Sequence, residues 1–184
     1  MRHIGVLLPA AADDAVFQAR MAVFHQALTL LGWNIGRNVR VDIRWATTDA
    51  AEIRRHASEL AALAPDVILA TGDSTMPPLL QATRSVPIVF PLATDPVGAG
   101  YVDSLARPGG NATGFMMFEY SLSATWLQLL KEIAPGMTQV AVLRDTTADI
   151  TGLVQFGVIQ AMAPALREKW TPFLRPVGKF AVGS

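Results

Sequence analysis

The sequence predicts an α/β fold, a parallel sheet with helices on both faces, and three observations lead there. Short strand-like runs recur, apolar at His3–Leu8, Asp66–Thr71 and Pro87–Ala93 and alternating at Val39–Trp45. Between them lie stretches whose apolar residues return every three to four positions, as one face of a helix requires. The spacing leaves room for a helix between successive strands, which is the crossover that parallel pairing needs.

The first run, His3–Leu8, is closed by Pro9 and reads as a buried strand. Phe17, Met21, Phe24, Leu28 and Leu31 then form one helical face, and Gly32 supplies the stop. In the second run Val39, Val41, Ile43 and Trp45 alternate with Arg40, Asp42 and Arg44, the pattern of a half-exposed strand suited to a sheet edge. Asp49 with Glu52 makes a capping-box-like start for a helix that buries Ile53, Ala57, Leu60 and Ala64 and ends at Pro65. Asp66–Thr71 is a fully buried strand, followed by a short helix to Thr83 whose two prolines fall in its first turn. Pro87–Ala93 is the next strand.

The stretch from Ala93 to Phe115 is rich in glycine and proline. Asp95-Pro96 reads as a helix start, because the carboxylate can accept from first-turn amides and proline at the first position loses no useful donor. Val97, Tyr101 and Leu105 would share one face of that short helix, and Pro108–Asn111 would end it. The glycines fit neither a dinucleotide fingerprint nor a P-loop. Farther on, a helix is expected near Leu122–Ala134, a strand over Gln139–Asp145 and a helix over Leu153–Ala163, while residues 167–184 show no period.

Composition limits the function. The chain has 184 residues, about half of them apolar, with 15 Lys and Arg against 15 Asp and Glu. It therefore lacks the basic footprint of a nucleic-acid partner. Cysteine is absent, which excludes thiolate nucleophiles and Cys-bound zinc. His3, His25 and His56 match no metal-ligand spacing, and no G-x-S-x-G elbow occurs. The expectation is a protein without a catalytic residue, metal or cofactor. No apolar run approaches the roughly 20 residues that span a bilayer. Met1 precedes the first strand without the charged start and apolar stretch of a leader, so no export signal is read.

Parallel sheets present ligands at the carboxyl ends of their strands. That rule selects three loops: Pro9–Asp14, Thr71–Thr75 and the one opening with Thr94 and Asp95. Thr71, Gly72, Asp73, Ser74 and Thr75 combine hydroxyls with the amides of a helix start and suit an anionic ligand group such as a carboxylate. The plainer reading is that Asp73 or Ser74 caps the helix. Asp95 is read as a cap as well as a contact, and Asp13 and Asp14 as solvated.

The segments "GWNIGRNVRVDIRWA", "DPVGAGYVDSLARPGGNATGF" and "WLQLLKEIAPGMTQVAVL" resemble the substrate-binding proteins of ABC transporters, in the family that includes tryptophan- and tyrosine-type binding components. The resemblance runs from Arg2 to about Leu166 and implies a periplasmic-binding-protein-like fold of type I. Residues 1–117 are then a first α/β lobe, 118–184 an incomplete second one, and Gly114–Glu119 the hinge crossing. From the second lobe Glu119, Tyr120 and Asp145 are candidates by position. The function implied is capture of a small organic ligand, such as an amino acid, for an importer, with the permease as membrane partner and a periplasmic or cell-surface location. The chain then reads as shortened or as a fragment. Unpartnered apolar faces in the incomplete lobe, around Leu127, Leu130 and Ile133, suggest a homodimer through that lobe. The alternatives are a ligand-sensing regulatory domain of the same fold, a small α/β enzyme, and a non-functional fragment.

Overall fold

The computed structural model describes residues 1–117, 119, 122–137, 140, 142 and 150–162. It divides into two compact units, Met1–Met117 and Phe118–Ser184.

The first unit is built from β1 (Arg2–Leu8), α1 (Ala15–Leu30), β2 (Val39–Trp45), α2 (Ala50–Ala62), β3 (Val67–Ala70), a 3₁₀ turn (Asp73–Thr75), α3 (Met76–Ala82), β4 (Ile88–Ala93) and β5 (Ala112–Met116). All five strands are parallel, in the order β2-β1-β3-β4-β5. Chain direction across the sheet therefore reverses at β1: β2 lies to one side of it, and β3, β4 and β5 follow on the other.

Alternation along the strands sends side chains to two cores. Leu7, Ile68, Ile88 and Phe90 join Ile53, Ala57 and Leu60 of α2 and Leu79 of α3 on one face. Val6 and Leu8 meet Met21 of α1 on the other, with Phe17, Phe24, Val41, Ile43 and Trp45 packed around them. β1 is thus covered on both sides, which explains its continuous apolar character.

Local chemistry fixes the helix starts. Asp14 accepts from the amides of Val16 (2.9 Å) and Phe17 (3.0 Å), so it caps α1 and is not simply solvated. Asp49 caps α2 through the amides of Ala51 and Glu52. The expected capping box closes differently: Thr47 donates its hydroxyl to Glu52 at 2.6 Å and accepts from the Asp49 amide at 3.3 Å. Ala64, expected on the buried face, is exposed beyond the helix end with φ +45°.

β2 is an edge strand, and its charges are engaged. Asp42 pairs with His3 and with Arg40, the latter at 2.9 Å. Partial burial pushes the Asp42 carboxyl upward, but hydrogen bonds from Arg40 and His3 outweigh it and hold the group below its ordinary value. Glu59 on α2 is held low first by His56, then by Arg55 and Arg44. At the start of β3, Asp66 accepts from the His3 amide and from Arg2, each at 2.7 Å, and both bonds lower its pKa.

Two further features depart from the sequence reading. The helix expected after Asp95 is only a turn: the Ala99 amide reaches the Asp95 carbonyl at 2.9 Å and the Tyr101 amide reaches that of Pro96 at 2.8 Å. Gly100, at φ +73°, ends it before a second turn can form. Val97 and Leu105 are exposed while Val102 is buried, so the expected face is not made. The second departure is β5, which the sequence reading did not contain. Its Gly114 lies so close to the Phe90 carbonyl that a Cβ would collide with it, beside a bulge between Phe90 and Ala93.

The described part of the second unit contains α4 (Leu122–Ile133) and α5 (Ile150–Met162), which pack together. Leu127 and Ser123 of α4 are buried, while Trp126, Leu129, Leu130 and Ile133 are exposed. Lys131 donates to the Met137 carbonyl at 2.7 Å, covering a group near the helix end. Most of the expected strand Gln139–Asp145, and the tail 167–184, lie outside the described residues.

Candidate ligand-binding site

Three loops leave the carboxyl ends of β1, β3 and β4 and are tied to one another. The amide and the hydroxyl of Thr71 both donate to the Leu7 carbonyl, at 3.2 and 3.1 Å, which fastens the end of β3 to the end of β1. This is the reversal point of the sheet, where an open parallel sheet leaves a crevice. Gly72 follows with φ +78° and ψ 147°, a conformation essentially reserved for glycine. A Cβ there would stand 3.1 Å from Cγ of Pro9, so the first loop sits directly against the second.

Beyond Gly72 the chain turns into α3. The hydroxyl of Thr75 donates to the carbonyls of Gly72 (2.9 Å) and Thr71 (3.2 Å), and Thr75 is fully buried. Asp73 turns away from the helix: its Oδ1 accepts from the Thr94 amide at 3.0 Å, linking the β3 loop to the β4 loop. The Tyr101 hydroxyl donates to the Asp73 carbonyl at 3.2 Å, a second link between the same loops. Neither the 3₁₀ turn nor α3 has a side-chain cap, which corrects the expectation that Asp73 or Ser74 caps the helix.

Asp95 does act as a cap, accepting from the Gly98 amide at 2.8 Å, and does so at φ +43°, an uncommon conformation for a residue with a Cβ. Thr94 beside it is buried, and its amide is the one held by Asp73.

The structure therefore brings Thr71, Gly72, Asp73, Ser74, Thr75, Thr94 and Asp95 into one set of adjoining strand-end loops. Tyr120 and Asp145 lie outside the described residues. Glu119 is exposed, and its carbonyl accepts from the Leu122 amide at 3.1 Å. Sequence reasoning missed Tyr101, which it assigned to a helical face; no local pattern announces a hydrogen bond to a residue 28 positions away. Among the described residues no group of three or more His, Asp or Glu side chains could hold a metal ion.

An open pocket of about 280 Å³ lies at the opposite end of the sheet, among Ile4, Leu28, Trp33, Val39 and Val67. It faces the amino-terminal strand ends, so the tied loops and not this pocket are the candidate site.

Comparison with known proteins adds the decisive observation: the family model for ABC transporter substrate binding proteins matches residues 4–157. The chain belongs to this family. As an ABC substrate-binding chain it is 32% identical, over 124 residues, to a tyrosine-binding protein of Clostridioides difficile. It is also similar to a ligand-free, open structure of a substrate binding protein with adhesive properties from Clostridium difficile, at 27% identity and a TM-score of 0.66. The fold alone is shared with an ABC domain in complex with L-Trp from Streptococcus pneumonia, at 22% identity and a TM-score of 0.72. These matches cover 67%, 94% and 95% of this chain but only 35%, 57% and 57% of the respective relatives. The chain thus spans about a third of the curated relative and just over half of each solved one. The parallel sheet with helices on both faces is the periplasmic-binding-protein-like type I architecture. Among the described residues no helix is long and apolar enough to cross a membrane.

Proposed function

We propose that the chain is the solute-binding part of an ABC importer and captures a small amino acid-like molecule at the tied loops of its first unit. The units 1–117 and 118–184 are, in this reading, the lobes of the binding protein. Thr71, Gly72, Asp73, Ser74, Thr75, Thr94 and Asp95 form the first-lobe wall, and Tyr120 and Asp145 belong to the second. The observation that carries the reading is the pair of bonds from Thr71 to Leu7 and from Thr94 to Asp73, which hold three strand-end loops together without any catalytic constellation among them. The tyrosine-binding relative and the neighbour solved with L-Trp point to amino acids as the ligand class.

Within the site, Thr75 and Thr94 act as holders, since both are buried. Ser74 is half-buried and offers its hydroxyl and amide to a ligand carboxylate, and the Asp73 and Asp95 carboxylates suit an ammonium group. An α-amino acid carries both groups. The protein binds and does not transform its ligand, works outside the cytoplasm, and hands the ligand to a membrane permease when ligand binding favours the closed arrangement. Its partners in this reading are the ligand, the permease and, through the second unit, another copy of the chain.

The test is a thermal-melt screen with tryptophan, tyrosine, phenylalanine, leucine and small carboxylates. A ligand at about 100 times its dissociation constant stabilises the folded state by about 2.7 kcal/mol. A rise with an amino acid that disappears in Ser74→Ala supports the assignment. A cooperative melt that no amino acid shifts rejects it.

A further inference from the structure

Tyr101 reaches the site from the far end of the turn that begins at Asp95. Its amide donates to the Pro96 carbonyl at 2.8 Å, and Gly100 before it takes φ +73°, which ends the turn. The ring packs against the core cluster that includes Met76 and Leu79, and the hydroxyl beyond it donates to the Asp73 carbonyl at 3.2 Å. That carbonyl has a donor without it. The Met76 amide, inside the same turn as Asp73, donates to the same oxygen, and one partner satisfies a buried carbonyl.

What the hydroxyl adds is orientation. The Asp73 carbonyl and the Ser74 amide belong to one planar trans peptide, so they point in opposite directions. Holding the oxygen toward Tyr101 aims the Ser74 N–H away from it. Asp73 is held from a second side as well, because its Oδ1 accepts from the Thr94 amide at 3.0 Å. Two bonds from the β4 loop thus fix this residue, one to its backbone and one to its side chain, and rotating the peptide breaks the first of them. A donor at one end of a peptide also strengthens the donor at the other, since hydrogen bonds in a chain polarise one another. Among the described residues neither the amide nor the hydroxyl of Ser74 has a hydrogen-bond partner.

We propose that Tyr101 is a positioning residue for ligand binding, which acts through the Asp73–Ser74 peptide and sets the Ser74 amide to receive the carboxylate of an amino acid. The inference rests on the functional reading of this site and adds to it a residue that works at one remove from the ligand. All the bonds concerned lie between residues 73 and 101, inside the first unit. The arrangement carries a selectivity. An amino acid uses the donor that Tyr101 sets, and an amine of the same side chain, having no carboxylate, does not.

Tyr101→Phe isolates the hydroxyl. The ring stays packed and Met76 still satisfies the Asp73 carbonyl, so the melt should remain cooperative and close to that of the parent. Titrations then compare each amino acid with its amine, L-tyrosine with tyramine and L-tryptophan with tryptamine. In Y101F the affinity for the amino acid that the parent binds should fall about threefold to tenfold, the worth of one neutral hydrogen bond. Affinity for the amine should stay at the parent value, whereas a hydroxyl that merely stabilised the fold would lower both alike. A second readout needs no ligand: the amide nitrogen resonance of Ser74, which reports the hydrogen bonding of the carbonyl before it, should move in Y101F. Unchanged affinity of Y101F for the amino acid, an equal loss for amino acid and amine, or a Ser74 resonance at the parent position would each overturn the proposal. A parent chain that binds none of these amino acids would overturn the functional reading, and the ligand-binding role of Tyr101 with it, while the Ser74 resonance reports separately whether Tyr101 sets that amide.

Discussion

Asp73 and Thr94 are joined across two loops: Oδ1 of Asp73 accepts from the Thr94 amide at 3.0 Å and holds the end of β3 beside the end of β4. A carboxylate that accepts from a backbone amide is stronger than a neutral acceptor and leaves a buried donor unpaired when removed. Asp73→Ala should therefore cost about 1–3 kcal/mol in urea unfolding. Asp73→Asn keeps an acceptor oxygen and should lose less than half of that. Equal losses in the two variants would mean that the charge, and not this hydrogen bond, carries the effect.

Gly72 should not tolerate a side chain. Its φ of +78° and ψ of 147° are outside the region open to alanine, and a Cβ would press on Pro9 at 3.1 Å. Gly72→Ala should destabilise the first unit by about 1–3 kcal/mol. Because the strain falls at the junction of two loops, ligand affinity should fall with it. A variant as stable as the parent would show that the loop can adopt another path.

The Thr75 hydroxyl is a structural group. It is buried and bonded to Gly72 and Thr71, so Thr75→Val, which keeps the shape, should cost about 1 kcal/mol, as a lost internal hydrogen bond does. Thr75→Ser keeps the hydroxyl and should retain the loop geometry, read as ligand affinity close to that of the parent. If valine lowers neither stability nor affinity, the hydroxyl does not hold the loop.

Acid should weaken the β1–β2–β3 end of the sheet. Asp42 and Asp66 are held below their ordinary 3.8, and Glu59 below 4.5, by the bonds they accept when folded. A folded pKa below the unfolded one gives stability that is present above the unfolded value and is lost as pH falls through the folded value. Unfolding midpoints should thus be level near neutrality and drop below about pH 4. Asp66→Asn should be less stable than the parent at neutral pH, and the difference should shrink in acid. A difference constant with pH would remove Asp66 from this account.

The regular part of the fold was legible because period and boundary residues agree. Val39–Trp45 shows its edge position in alternating charges, and Asp49 announces α2 before its apolar face begins. The connections were harder. Asp95-Pro96 carries the signal of a helix start, but Gly98 and Gly100 follow so soon that only one turn forms. β5 escaped notice because Ala112–Met116 includes a glycine, demanded by the Phe90 carbonyl and not by any local preference. At the site the strand-end rule pointed to the right loops, yet it said nothing of what holds them. Asp73 reads as a cap from its neighbours alone; its partner is 21 residues away, and only the pairing of β3 with β4 brings Thr94 within reach.

The placement of β1 has a consequence for how the chain is made. Each later strand pairs with one that precedes it in sequence: β2 and β3 with β1, β4 with β3, and β5 with β4. As the chain emerges from the ribosome amino end first, every strand after β1 finds a neighbour already synthesised. The sheet can grow outward from β1 at the pace of translation, with the Thr71 bond to Leu7 available as soon as β3 docks. The loops that make up the candidate site are in this sense assembled in the order in which they are read.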